Sequence, residues 1–332
     1  MNPQETVRAF FHAVKIETAS PPYDTMHLKV YYPAQVSGDA QETNLGMIPP
    51  DSELAPFPVV IFFNGVNCSP EGYQWLAIDL AKRGLVIITF AWVAENIPGF
   101  VALTPGVDLN AWSSDNYGKM PTASALPTLL SAIADLQEDS LLSGRLDLNK
   151  IILGGHSAGG RVAIESASPD FSPQLAGAFA YAAHTAVGKD LGYEPGTILP
   201  IPNSLPLLLM GGTRDGVIVN SSYRYGVQWE TATTPILRTF QGAIAAEKKE
   251  SYLVFFQGAN HFSLTYPHDS TAGTSFLDFP PTESETELRP LMAIIIGLFI
   301  KGCICQEKEA LNKLHNLLNS DHPLVAKREY HP

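Results

Sequence analysis

A serine hydroxyl becomes a nucleophile only when a base takes its proton and a carboxylate holds that base in the right tautomer. The sequence offers these three groups in a workable order. Gly155-His156-Ser157-Ala158-Gly159-Gly160 is a G-x-S-x-G. It follows the strand-like stretch Lys150 to Gly154 (KIILG) and opens a helix-like run from Gly159 to Ala167. That is the strand-turn-helix setting of a nucleophile elbow, where backbone strain demands small residues two places either side of the serine. Asp215 stands in Gly211-Gly212-Thr213-Arg214-Asp215-Gly216, directly after the apolar Leu205 to Met210 (LPLLLM). His261 stands in Gly258-Ala259-Asn260-His261-Phe262, directly after Ser251 to Phe256 (SYLVFF). Of the nine histidines, His268, His315, His322 and His331 also lie beyond Asp215, but in a polar loop, the last helix or the tail. The expected roles are therefore Ser157 as nucleophile, His261 as base and Asp215 as the group that orients it. Two bland readings compete: a glycine-rich turn that only caps a helix at Ser157, and an aspartate at 215 that serves only its own turn.

Attack on a carbonyl produces an oxyanion, which needs preorganised N–H donors. One is expected from Ala158, the residue after the nucleophile, and the other from Val66 in the turn Asn64-Gly65-Val66-Asn67. Asn67, Tyr73, Trp92, Trp112, His184 and Trp229 lie in or near segments that follow strand ends, the side where α/β sheets take ligands. They are the expected substrate contacts, and so many aromatics favour an apolar acyl or alcohol group. Cys68, beside the oxyanion turn, reads as a small filler.

The elements that must position these groups alternate between strand and helix. Met26 to Tyr32 alternates with a two-residue period and is stopped by Pro33, whereas Phe57 to Phe63 (FPVVIFF) and Leu85 to Phe90 (LVIITF) are apolar on both faces, as strands covered on both sides must be. Between the last two, residues 72 to 83 have helical spacing closed by Gly84. Helices are further expected over 127–142, 221–231, 285–301 and 306–319, and a strand over 176–182. Polar or Gly/Pro-rich excursions are expected at about 35–56, 94–120 and 184–204. With no internal repeat and no linker between independent cores, the pattern predicts one α/β domain over 1–332, a doubly wound, mostly parallel sheet with helices on both faces.

Composition narrows the partners. Among 332 residues, 45% are hydrophobic and only 16% charged, enough for a large core, and the net charge of −12 repels phosphate backbones and anionic headgroups. Nucleic acid is not expected as a partner, and the acidic balance disfavours anionic substrates. Leu291 to Ile300 (LMAIIIGLFI) is half the length a bilayer demands before Lys301 ends it, so a buried helix is expected rather than a membrane span. Cys68, Cys303 and Cys305 form no disulfide framework, and Met1 to Thr6 has no secretory pattern. Both point to a cytoplasmic setting.

Together the elbow, acid and base resemble the α/β-hydrolase superfamily over about residues 13 to 319. The lead-in Val30-Tyr31-Tyr32-Pro33, the strand ending in Asn64-Gly65, and GHSAGG followed by Arg161 are similar to the branch holding dienelactone hydrolases, platelet-activating-factor acetylhydrolases, cutinase-like polyesterases and chlorophyllases. The resemblance implies hydrolysis of a small-molecule carboxylic ester through an acyl-enzyme, with no metal or organic cofactor and with Val66 as the second oxyanion donor. Asn64 stands where relatives often have His, Ala158 where chlorophyllases usually have Arg, and Ser157 where dienelactone hydrolases have Cys. Chlorophyllase-type cleavage of a long-chain alcohol ester, acyl transfer, and ligand binding without catalysis remain alternatives at this level.

Overall fold

The computed structural model describes residues 6–331 apart from 37, 39–41, 43, 45, 47, 98, 202–203 and 245–249. Parts of the three predicted excursions, and residues 1–5 at the N-terminus, thus lie outside the described residues.

In chain order the principal elements are β1 (Thr6–Lys15), β2 (Thr25–Ala34), β3 (Phe57–Phe63), α1 (Gln74–Lys82), β4 (Val86–Ile97), β5 (Phe100–Leu103), α2 (Leu126–Glu138) and β6 (Leu146–His156). They continue with α3 (Ser157–Ser166), β7 (Leu175–Tyr181), β8 (Leu207–Gly212), α4 (Gly216–Asn220), α5 (Thr234–Gly242), β9 (Ser251–Phe256), α6 (Glu285–Phe299), α7 (Lys308–Asn319) and β10 (Val325–His331). Among the described residues the strands form one ten-stranded sheet in the order β1-β2-β4-β3-β6-β7-β8-β9-β10, with β5 added to β4. The six strands from β4 to β9 along this path run parallel, and β2 and β10 flank them antiparallel.

The two-faced strands do what their composition predicts. Val59, Ile61 and Phe63 of β3 enter one core with α2, α3 and α5, while Val60 and Phe62 enter a second core with α1, α6 and α7. Strands β4, β6, β8 and β9 divide their alternate residues in the same way, Ile151 and Leu153 against Ile152 being one instance. The fold is therefore α/β, with a mostly parallel sheet covered by helices on both faces. The segment Leu291 to Ile300 belongs to the second core, and no helix among the described residues is long and apolar enough to cross a membrane. Chain order reverses at β3: the chain passes from β3 to β4 on one side, then returns to β6 on the other. A crevice opens at such a switch, beyond the carboxyl ends of the strands.

Several expectations need correction. Strand β2 runs on through Pro33 to Ala34, and β4 continues into the predicted 94–120 excursion, where β5 turns back on it. No α-helix occupies 221–231; Ser222–Tyr225 forms one 3-10 turn that Gly226 stops with φ of 68°, and the helix lies further on, at α5. Its start is set by Thr234-Pro235, since proline suits the first helical turn. Edge strands β1 and β10 were not predicted from the pattern.

If α6 is held by the second core, Ile296→Ala removes a fully buried side chain and lowers the unfolding free energy by about 2–5 kcal/mol in urea denaturation. An unchanged midpoint would mean that α6 is not packed there.

Candidate active site

Strand β6 ends at His156 and α3 begins at Ser157, with no residue between them. The turn is possible because Ser157 takes φ of 56°, a left-handed conformation uncommon for a residue with a side chain. The glycines around it are there for space. A Cβ on Gly155 would lie 2.5 Å from the carbonyl oxygen of Gly159, and one on Gly159 would lie 2.3 Å from the carbonyl oxygens of Phe63 and Asn64. The start of α3 thus rests directly on the end of β3, beside the turn that carries Val66.

Asp215 follows β8 and caps the short helix α4, its Oδ1 accepting the Ile218 N–H at 2.9 Å. Its other oxygen, Oδ2, lies 2.8 Å from His261 Nδ1. The local role and the longer-range one are thus both filled, one by each oxygen. His261 Nε2 lies 2.9 Å from Ser157 Oγ. With Asp215 accepting at Nδ1, that nitrogen carries the proton and Nε2 is left to accept from the serine. Asp215 and His261 are buried, whereas Ser157 is partly open. Burial alone pushes His261 down, but the charge and hydrogen bond of Asp215, joined by the charge of Asp278, outweigh it and raise the imidazole above its ordinary 6.5.

Asp278 is a residue that no sequence pattern singled out. Its Oδ1 accepts the Gly216 N–H at 2.8 Å and its Oδ2 the Phe262 N–H at 3.3 Å, tying the residue after Asp215 to the residue after His261. Burial, followed by the neighbouring charge of Asp215, raises its own pKa. It lies in the irregular stretch that follows the 3-10 turn Ser275–Leu277, with nothing local to mark it.

His156 and Tyr73 form a second buried relay. His156 Nε2 is 2.9 Å from the backbone carbonyl of His261, so Nε2 must donate, and Nδ1 accepts from Tyr73 Oη at 2.8 Å. Tyr73 Oη in turn accepts the Gly65 N–H at 3.3 Å. Burial, and then the proximity of His261, hold His156 well below its ordinary value, which keeps Nδ1 free to accept. This chain of bonds joins the turn after β3, the elbow and the base loop. Tyr73, expected to touch substrate, is fully buried and serves this linkage instead.

The turn carrying Val66 is folded by Asn64, whose Nδ2 donates to the carbonyls of Gly65 and Cys68 at 2.9 and 3.0 Å. The Asn67 N–H donates to Leu103 O and the Cys68 N–H to Gly65 O, leaving the Val66 N–H with no protein acceptor among the described residues. Ala158, second in α3, has an amide that helix geometry leaves without an intrahelical acceptor. Cys68 is buried, and burial pushes its thiol up to about 11, so it stays neutral.

Ser157, His261, Val66 and Ala158 all line one cavity of about 610 Å³ at the reversal of strand order. That volume is within the range of small-molecule sites. Of the expected contacts, Asn67, Trp112 and His184 line it, and Tyr73, Trp92 and Trp229 do not. Trp92 is buried with Nε1 donating to Tyr23 O, and Trp229 stands behind the wall, edge-on to His184. Phe100, Leu191, Val217, Ile218, Tyr225 and Phe262 supply much of the apolar wall and were missed, since they come from five separate segments of the chain. A second concavity, of about 630 Å³ between β1 and α2, includes none of these groups.

Neither the protein-family models nor the curated proteins compared with this chain match it.

Tyr73→Phe leaves a buried amide and a buried imidazole nitrogen unsatisfied, so it lowers stability by about 1–3 kcal/mol. Urea denaturation of the two proteins measures this, and equal stability would remove the relay from the account.

Proposed function

We propose that the protein is a serine hydrolase of carboxylic esters, built on an α/β-hydrolase fold of the chlorophyllase, acetylhydrolase and cutinase-like branch. One observation carries the reading: Ser157 Oγ, His261 and Asp215 stand in series at 2.9 and 2.8 Å, with the serine held in a left-handed turn on the wall of a partly apolar cavity. Left-handed strain at a polar residue persists where the surrounding structure enforces it, and such places are commonly functional.

Ser157 Oγ attacks the ester carbonyl carbon while His261 Nε2 takes its proton. The carbonyl oxygen becomes an oxyanion held by the Val66 and Ala158 N–H groups. As the C–O bond to the alcohol breaks, the imidazolium returns the proton to the leaving oxygen, and an acyl-serine remains. Water then attacks the acyl carbon, His261 takes one of its protons, and collapse expels Ser157 Oγ, which regains that proton as the acid departs. Asp215 stays ionised throughout, fixing the tautomer and stabilising the imidazolium. One water is consumed for each ester cleaved, giving one acid and one alcohol.

Ser157→Ala lowers kcat/KM for p-nitrophenyl acetate by at least ~10⁴-fold and abolishes labelling by a fluorophosphonate. Turnover that survives this change unaltered ends the proposal.

The acid limb of activity provides a separate test. Only neutral His261 accepts the serine proton, so kcat/KM rises with pH through a pKa above 6.5. In Asp215→Asn, burial loses its main opponent, so the limb moves to lower pH while kcat falls by about 10⁴-fold. A pH profile with an unshifted limb would assign it to another group.

A further inference from the structure

The chain carries a net charge of −12, yet the wall of its cavity contains Arg161 and Arg224 and, among the described residues, no Asp or Glu. Arg161 lies four residues after Ser157 on α3, and positions so spaced share a helix face. Nine-tenths of its side chain is buried. Its Nε donates to Glu165 Oε1 at 2.9 Å, its Nη1 donates to Ala186 O at 2.7 Å, and its guanidinium lies 4.0 Å over the Trp112 ring. Glu165 spends its second oxygen on Trp112 Nε1 at 2.6 Å. Each oxygen of Glu165 thus has a partner and its charge offsets that of Arg161, whereas Arg161 Nη2 is buried with no partner.

Ala186 grips a second side chain. Its N–H donates to His184 Nδ1 at 3.2 Å, which puts the imidazole proton on Nε2 and makes that atom a donor. Burial first, then the charges of Arg161 and His261, push His184 down to about 3, so it stays neutral. One residue of the segment after β7 thus fixes both a guanidinium, through its carbonyl, and a donor imidazole, through its amide. Both line the cavity that holds Ser157, and Arg224 on the same wall has no ion-pair partner among the described residues.

A guanidinium held in this way, with an unused N–H in a partly apolar enclosure, suits a planar anion, because charge-assisted bonds to a carboxylate are about twice as strong as neutral ones. We propose that Arg161 and His184 form a carboxylate subsite, and that the substrate is an apolar ester bearing a second, free carboxylate. This rests on the esterase reading above and names its substrate class. The whole-chain charge that disfavours anions sets the far field, whereas the cavity wall sets the near one.

The test uses matched esters in which a carboxylate is replaced by its neutral amide: the acetate ester of para-hydroxybenzoate against that of para-hydroxybenzamide, and monoethyl adipate against ethyl adipamate. The first pair places the carboxylate on the alcohol side and the second on the acyl side. Native protein is expected to favour the charged member of one pair by about 10- to 100-fold in kcat/KM. In Arg161→Gln/Glu165→Gln, which removes both buried charges together, the ratio falls to about one. Should that variant not fold, His184→Leu supplies the second reading, a ratio reduced severalfold. No preference in the native protein, or a preference that survives both changes, overturns the subsite. If the neutral esters are still hydrolysed and Ser157 is still labelled by a fluorophosphonate, the esterase reading stands without it. If no ester is cleaved and Ser157 is not labelled, the esterase reading fails and the subsite with it.

Discussion

The contact on which the rest of the site depends is backbone against backbone. The first turn of α3 lies on the end of β3, so close that a single Cβ at Gly159 would sit 2.3 Å from the carbonyl oxygens of Phe63 and Asn64. This contact sets the spacing of Val66 and Ala158, which line the same cavity. At the same sharp strand-to-helix junction Ser157 takes a left-handed φ of 56°. Everything downstream meets a serine already placed.

The imidazoles beside that turn show how one buried environment yields opposite results. His261 and His156 have ring centroids 4.8 Å apart, and burial pushes both down. Only His261 has carboxylates facing it, Asp215 directly and Asp278 beyond, and these reverse the direction. His156 faces a hydroxyl and a carbonyl, which favour a neutral ring with a fixed tautomer. One histidine is thereby suited to gaining a proton, and the other to holding three loops together.

Much of the scaffold was legible because its signals are local. Phe57–Phe63 and Ser251–Phe256 form strands with the bounds their composition suggests, since an unbroken apolar run can satisfy two covered faces only in the interior of a sheet. The edge strands were not, because β10 (VAKREYH) carries the mixed polarity of an exposed edge. The segment 221–231 was expected as a helix, but Gly226 at positive φ breaks it, and Tyr225 and Trp229 on either side of that break pack beside His184. The three chemical groups could be ordered by strand position because each follows a strand whose apolar run is unmistakable, and the structure brings them within hydrogen-bond reach of one another. Contact prediction was weaker: aromatic type and a nearby strand end placed Trp112 and His184 on the wall, and misplaced Tyr73, Trp92 and Trp229.

By itself the sequence determined the α/β class, the two-faced strands and the succession Ser157, Asp215, His261, because hydrophobic period and motif spacing are properties of neighbouring residues. Only the tertiary structure decided which side chains the three groups would meet. Asp278 reaches the loops of Asp215 and His261 from 17 residues beyond His261 without a motif, and Tyr73 meets His156 across 83 residues of chain. Arg161 finds Ala186 across 25. Such pairings follow from which strand ends the sheet order brings together, and that order is set by the packing of all the layers at once.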